Sequence, residues 1–590
     1  MPVAMSLLKP ASSYPFPYIP PSPINPALVG PYSAQNIKGL TSLQIQKIPL
    51  NELVQFTSEQ IQAFTTTQIP WFSTDQIKTL TAAHFSAMSS AQIKAISFAQ
   101  WNKISPQVFA GINNEKIAHI STTTIGSIST AHVSALSQPQ ISALTTDEIA
   151  HLYADQLNAF SSSQVNSLSD KQVDKISTVQ ISSLSTGFVS ALSALQVRAL
   201  STMALSALTT EQIQALDAED VSKLSAQQIR SLTIETVQSF TTAQIQGLSK
   251  ADITEFSTVQ ISNLTTDQIA AMRTDSLAGL TKAHLEALTT EQFAALSTSQ
   301  IRALSSTQIK NLSTDDVVAL GTSGIMALSN AQVAALTASQ VDQMTDEQIA
   351  AISSEQFNRL APHQIRALTS HVVAALSTDV VANLTQSQTR LFSQTQIAAL
   401  TTAQVQSLGA QTVNQLSRWQ VSALSTDQLH AMSDTQLRQL NSNAIKGLTT
   451  EQLEAMTHTQ FAALSTSQIN AFSVSQAAHL GAEFGQSLSA GSITTLNTTL
   501  LNALGSDAIQ AIDAHVMSAM TSKQLSALNA TFVSRMGDEQ LQALSVEQIR
   551  TLSVRALSGL SAAQYAALTP IQQAAFTASQ SRTLKANGLI

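Results

Sequence analysis

Apolar residues recur along this chain at spacings that alternate between three and five. The alternation begins in the stretch that opens at Ser33 and holds to Leu584, so the chain divides into octads whose fifth and eighth positions are apolar. Residues 209–216, 345–352 and 545–552 read TTEQIQAL, TDEQIAAI and SVEQIRTL, and the consensus is Ser/Thr-Ser/Thr-x-Gln-Ile/Val-x-Ala-Leu. Residues 33–584 are 552 residues, or 69 octads without an insertion or deletion. Self-similarity at a fixed period marks a repeat architecture, and it overrides any count of domains taken from length.

The period discriminates among elements. Spacings of three and five average about four residues per turn against 3.6 for an α-helix, so a single long helix rotates its apolar stripe by about 80° per octad and loses its face. In a strand, positions 5 and 8 fall on opposite faces, and Gln and Ala are weak strand formers, which leaves a β-solenoid as the lesser alternative. One short helix per octad fits best.

Four signals support it. Position 1 is Ser or Thr, or another capping residue: Asn113, Asn441, Asn497, Asn529, Asp217, Asp513, Gly321, Gly409, Gly481, Gly505 or Gly537. Gln at position 4 completes a capping box. Pro106, Pro362 and Pro570 fall at position 2, the first helical residue, where a missing N–H costs nothing. Acids such as Glu59, Asp147 and Glu451 gather at position 3 and bases such as Lys94, Arg302 and Arg438 at position 6, the order that the helix dipole favours. Pro49, Tyr153 and Ala361 depart at the cap, and Pro70 at position 6 is expected to distort its helix.

The expectation is a helix of about seven residues followed by one extended residue, restarted 69 times, with a bend at every cap and several octads to a turn. No such helix is stable alone. Burying two side chains yields roughly 3–6 kcal/mol, while ordering eight residues costs roughly 8–16 kcal/mol. Neighbouring octads must supply the difference, as in a solenoid. Small residues at position 7 let them approach closely. The fold class is therefore an all-α solenoid of very short helices.

Hydrophobic residues make up 44% of the chain and charged ones only 11%, with a net charge of −8. The first figure argues against disorder. The acidic balance argues against nucleic acid as a partner, which needs a basic face. There is no apolar run long enough to span a membrane, and no cysteine for disulfides or thiol chemistry. Residues 1–32 form a proline-rich arm or leader with Tyr14, Phe16, Tyr18 and Ile19 interleaved, and its start lacks a basic region and a continuous apolar core, a poor secretory signal. Tyr14, Phe16, Tyr18 and Ile19 are the residues with which such an arm would dock on a neighbouring copy. Residues 585–590 are a short tail. Neither end shows a strongly polar capping repeat, which favours end-to-end assembly.

Candidate chemistry is sparse. Histidines scatter over octad positions without a cluster and read as exposed polar residues. His363 and His371, one octad apart, lack a third ligand for a metal. Acid pairs such as Glu347 with Glu355, or Glu211 with Glu219, are explained by the dipole. Trp71, Trp101 and Trp419 share no register position, and Trp101 at position 5 is a core residue. No catalytic, cofactor or metal site is expected, and the chain is expected not to be an enzyme.

Octads such as LTTEQIQAL, LSTSQIRAL and MTDEQIAAI resemble the octapeptide arrays of large bacterial repeat proteins of the surface, adhesion or haem-utilisation type. The resemblance covers residues 33–584 and implies an exported bacterial protein; the haem label finds no matching motif here. Two functions follow as expectations. One is a structural subunit that self-associates into a rod or filament on the cell surface or in a matrix. The other is a secreted recognition solenoid, an adhesin or effector, that binds a host or cell-surface macromolecule through the variable positions 3 and 6. The location is extracellular or on the surface by a route without a classical signal, with the cytoplasm as the alternative.

Overall fold

The structure, a computed structural model, describes residues 32–590. The arm residues Tyr14, Phe16, Tyr18 and Ile19 lie outside the described residues. Among the described residues there are 68 α-helices, one 3-10 helix and no strand. The chain is an all-α solenoid of short helices, one to each octad.

The octad 209–216 shows how each unit folds. Thr209 is extended at φ −74° and ψ 165°, and its hydroxyl accepts the Gln212 N–H at 3.3 Å. Gln212 Oε1 accepts the Thr209 N–H at 2.8 Å, which closes the capping box. The helix Thr210–Ala215 then stops, because Leu216 is itself extended at φ −69° and ψ 142°. Two extended residues thus separate successive helices, not one. The helices are correspondingly shorter than the expected seven residues: most have 4–6, and the last, Ala578–Ala586, has nine. Asn and Asp at position 1 cap as Ser and Thr do; Asn529 accepts the Phe532 N–H at 2.7 Å.

The exceptions have local causes. Pro70 converts its octad to the 3-10 helix Ile69–Trp71. Gly321 was expected as a cap, but it lies inside the helix Gly321–Ala327 at φ 65°, after Leu320 in helical conformation. Only glycine adopts that φ without strain, so the chain turns through the cap position there. Arg273, a further departure at position 1, lends no cap and instead donates to the Leu248 carbonyl at 3.2 Å.

The described residues form two compact units, one ending at Leu280 and the other running from Thr281 to Ile590. In the first, Ala218–Ser222 packs on Thr242–Gly247; in the second, Thr378–Ala382 packs on Thr402–Ser407. Each pair is three octads apart. Side-chain bonds between turns reach 25 to 31 residues, as in Asn102 to Ser127 and Gln212 to Ile181. A turn therefore closes between three and four octads.

Positions 5 and 8 form the core: Ile213 is 1% exposed and Leu216 3%. Trp101 is buried there, with its ring 5.8 Å from that of Phe85 and 5.5 Å from that of Phe109. Position 7 lies against the backbone of position 2 one turn earlier. A Cβ at Gly559 would meet the Ala530 carbonyl oxygen at 1.9 Å, and one at Gly447 the Arg418 oxygen at 2.1 Å. Close approach explains the small residues expected at this position.

The glutamine of position 4 does more than cap. It is buried, and while Oε1 serves its own helix, Nε2 donates to two carbonyls of the preceding turn. Gln212 reaches the Ile181 and Leu184 oxygens at 2.7 and 2.6 Å. In the second unit, Gln468 reaches those of Leu437 and Leu440, both at 2.7 Å. The position-5 carbonyl already accepts the N–H of its own position-8 residue, as Ile181 does from Leu184 at 3.2 Å, whereas the position-8 carbonyl ends its unit, and the amide supplies it a donor. Repeated along the chain, the bonds form a ladder of amides that fixes the register of one turn on the next.

The ladder has one gap longer than a turn among the described residues. Position 4 of the five octads from 481 to 520 is Phe484, Ser492, Leu500, Ala508 and Val516, none of which carries an amide donor. Packing replaces it: the Phe484 ring lies 5.4 Å from Phe461 and 6.4 Å from Phe472, and Asn470 donates to the Thr495 oxygen at 2.9 Å. Apolar contact lacks the directionality of the amide bonds, so backbone amides of 481–520 are expected to exchange with solvent faster than those of 433–480 in hydrogen-exchange mass spectrometry. Equal protection in the two stretches would show that the amides do not set local stability.

The last octads depart from the consensus at position 5. Tyr565, Gln573 and Ser581 occupy position 5, where Ile, Val or Leu prevails elsewhere, and all three are half-buried. Gln573 Nε2 donates to the Tyr565 oxygen at 2.9 Å. The final helix ends with Gly588 at φ 71° and a Leu589 N–H to Leu584 oxygen bond, a glycine stop.

Candidate interaction surface

Positions 4, 5 and 8 point inward, which leaves positions 1, 2, 3 and 6 to meet solvent. Position 6 is less free than the sequence suggested. Arg302 Nε donates to the Ala327 oxygen at 3.0 Å, Asn158 to Ser183 at 3.1 Å and Gln542 to Ala567 at 2.7 Å, each 25 residues on. Many of its polar and basic side chains thus bind the next turn, which weakens position 6 as a carrier of specificity.

Position 3 keeps its acids at the helix start. Glu211, Glu235, Glu291 and Glu347 are held below the usual carboxylate range by their own backbone N–H and then by the hydroxyl of the cap threonine. That is the first-turn stabilisation which the charge sorting implied. Glu355 instead accepts from Asn330 Nδ2 at 2.8 Å, which joins position 3 to position 2 one turn earlier. His371 contacts Asp346 at 3.4 Å across the same seam, and His363 is exposed. Among the described residues, no three His, Asp or Glu side chains come together to hold a metal ion.

The histidines at position 4 are not the exposed residues expected. His84 is buried, accepts the Thr81 N–H on Nδ1 at 3.2 Å, and faces the Phe56 oxygen with Nε2 at 3.0 Å. It stands in for glutamine: one ring nitrogen accepts, the other donates. His132 also bridges two turns, with Nδ1 against the Ser129 hydroxyl at 2.7 Å and Nε2 against the Ile104 carbonyl at 2.7 Å. Burial lowers the pKa of His84 against the effect of the Phe56 carbonyl. Its contribution to stability is therefore present above the ordinary 6.5 and lost as pH falls through the lower folded value.

The exposed large apolar side chains collect at positions 2 and 3. Phe98 and Val474 occupy position 2, and Val179, Leu195, Met203 and Trp419 position 3. Two places stand out. In the first unit, residues 177–209 carry a single charge, Arg198, and Met203 lines a shallow cavity of about 420 Å³ with Thr178, Thr202 and Ser231. In the second unit, Trp419 is 58% exposed with the Arg418 guanidinium 4.1 Å from its ring centre. It borders an open cavity of about 460 Å³ lined also by Arg390, Phe392, Gln394 and Gln420. Gln394 Nε2 donates to the Trp419 carbonyl at 3.1 Å, and Arg390 Nε to Gln415 Oε1 at 3.0 Å, so the rim is fixed by bonds between turns. No local signal prefers Trp419 to the other tryptophans; only its position-3 register, on the solvent side of the helix, could have marked it.

Comparison with known proteins identifies the repeat. Residues 282–314, 309–346, 349–386 and 431–466 match the ALTTAQ repeat, less than half of the chain. The hexad of that name reads octad positions 7, 8, 1, 2, 3 and 4, and it occurs unaltered at residues 399–404. No curated protein matches the chain. Among solved structures, APUM23-GGAAUUGACGG is similar at 12% identity over 94% of this chain and 95% of that one, with a TM-score of 0.15. A homology model of the full-length AP-3 complex in an intermediate open conformation is similar at 11% identity over 92% and 86%, also with a TM-score of 0.15. At that score neither likeness bears on fold or function. No helix of the described residues is long and apolar enough to cross a membrane.

Proposed function

We propose that the chain is a non-catalytic structural repeat protein that self-associates, exported by a bacterium to its surface or an extracellular matrix. The observation that carries the reading is the division of labour within the octad. Positions 4, 5 and 8 are spent on a sealed interior and position 6 largely on bonds between turns, while apolar side chains collect on the outward positions 2 and 3. Such a face suits lateral association, since exposed apolar groups rimmed by polar ones mark contact sites. The place outside the cell rests on the resemblance to bacterial surface arrays.

A recognition solenoid is the second reading, favoured by the Trp419 cavity, because Trp and Arg are the residues that anchor interfaces. Light scattering and negative-stain microscopy of the purified chain separate the two. Self-association predicts particles that grow with concentration between neutral and mildly acidic pH. A monodisperse monomer throughout would sink it and leave recognition of a different macromolecule.

A further inference from the structure

The proline-rich arm and the Trp419 cavity have complementary chemistry. Prolines fix φ near −65° and favour the polyproline II helix, which has three residues per turn. Tyr14, Pro17, Pro20 and Pro23 are spaced by threes, which matches the repeat of that helix. The segment from Tyr14 to Pro23 carries no charge. Segments of this kind dock in grooves that offer an aromatic ring for the prolines and donors for the free carbonyls. The cavity supplies both: the exposed Trp419 indole stacked on Arg418, and at its margin the Arg390 guanidinium and Gln394 amide, which have N–H groups beyond those bound to Gln415 and the Trp419 carbonyl. It is open, as a groove for an extended chain must be, and too shallow to bury a small molecule.

We propose that residues 14–23 of one copy occupy the Trp419 cavity of a second copy. The inference rests on the self-association reading and gives it a contact. Two arms of one experiment test it. A fluorescein-labelled peptide of residues 12–24 is titrated with the full chain, and fluorescence anisotropy is read; in parallel, sedimentation velocity follows self-association. The peptide is expected to bind Trp419→Ala at least tenfold more weakly than the native chain, and a peptide with Pro17, Pro20 and Pro23 changed to Ala is expected to bind as poorly. Trp419→Ala is also expected to weaken self-association, as is the triple change of Tyr14, Phe16 and Tyr18 to Ser. Trp419 lies at the outward position 3, so its removal leaves the core intact, which an unchanged melting curve verifies.

Undiminished peptide binding to Trp419→Ala, or equal binding of the alanine peptide, overturns the proposal. So does tighter binding of a glutamate-rich peptide, which would assign the cavity to an acidic partner. Self-association that survives both sets of substitutions overturns the contact but keeps the structural reading. A chain that never associates, yet binds the peptide through Trp419, overturns that reading instead.

Discussion

Gln244→Glu is expected to destabilise the first unit by about 3 kcal/mol or more at neutral pH, although glutamate is nearly isosteric with glutamine and serves a capping box equally well. Gln244 Oε1 accepts the Thr241 N–H at 2.8 Å, and one carboxylate oxygen can keep that bond. Nε2 donates to the Ile213 oxygen at 2.6 Å and the Leu216 oxygen at 2.7 Å, in a site that is 1% exposed. Glutamate places an acceptor against both acceptors and buries a charge with no cation opposite. Gln244→Ala loses the same bonds without adding the charge, and about 1–3 kcal/mol is expected, chiefly from the Leu216 carbonyl left without a donor, since the Ile213 carbonyl keeps the Leu216 N–H. The order matters more than the sizes: glutamate worse than alanine, in urea or thermal unfolding followed by circular dichroism. If glutamate proves as stable as glutamine, the box alone matters and the ladder between turns does not hold the fold.

That contrast also explains what the sequence could and could not reveal. The octad, its caps, the apolar positions 5 and 8 and the distortion at Pro70 are local signals, each complete within eight residues, and all were legible. The ladder was not, because the partners of Gln212 lie 28 and 31 residues back and depend on where a turn closes. A hint of it existed. Glutamate satisfies a capping box and suits a helix start, yet it stands at position 4 only in Glu52 and Glu148. Asp220, Asp252 and Asp316 also stand there, but Gln fills most octads, and a position that prefers Gln to an equally good capping acid is asking for a donor. His84 and His132 were misread as exposed for the same reason, since their role appears only once the preceding turn is in place. Position 6 varies because many side chains can donate one bond to a carbonyl, and variation was taken for exposure. The Trp419 site was the least legible part, because its cavity is made by residues from octads three and four apart.

Glu148 is the natural counterpart of the Gln244 variant, and Glu148→Gln is expected to stabilise the first unit by about 1–3 kcal/mol at pH 7. Glu148 is 1% exposed. Its Oε2 accepts the Thr145 N–H at 2.6 Å and the Thr145 hydroxyl at 2.8 Å, while Oε1 is buried without a hydrogen-bond partner. By the register of the neighbouring octads, Oε1 takes the place of an amide nitrogen whose acceptors are the Ile117 and Ile120 carbonyls. Burial pushes the carboxyl pKa up, against the Thr145 bonds that draw it down. A raised folded pKa means that the acid contributes its full stability below the ordinary 4.5, as a neutral group able to donate, and loses it as pH rises through the folded value. Asp220, at the same octad position, is pushed up to about 6, chiefly by burial, and follows the same course between 3.8 and about 6. The advantage of Glu148→Gln should therefore be large at pH 7 and shrink toward nothing below pH 4.5, where the native acid is protonated and can itself supply the missing donor. Thermal melts of the two chains at pH 7 and pH 4 decide it. A gain of the same size at both would mean that the glutamine repairs packing and not the ladder, and no gain at pH 7 would mean that the preceding turn does not need a donor at this place.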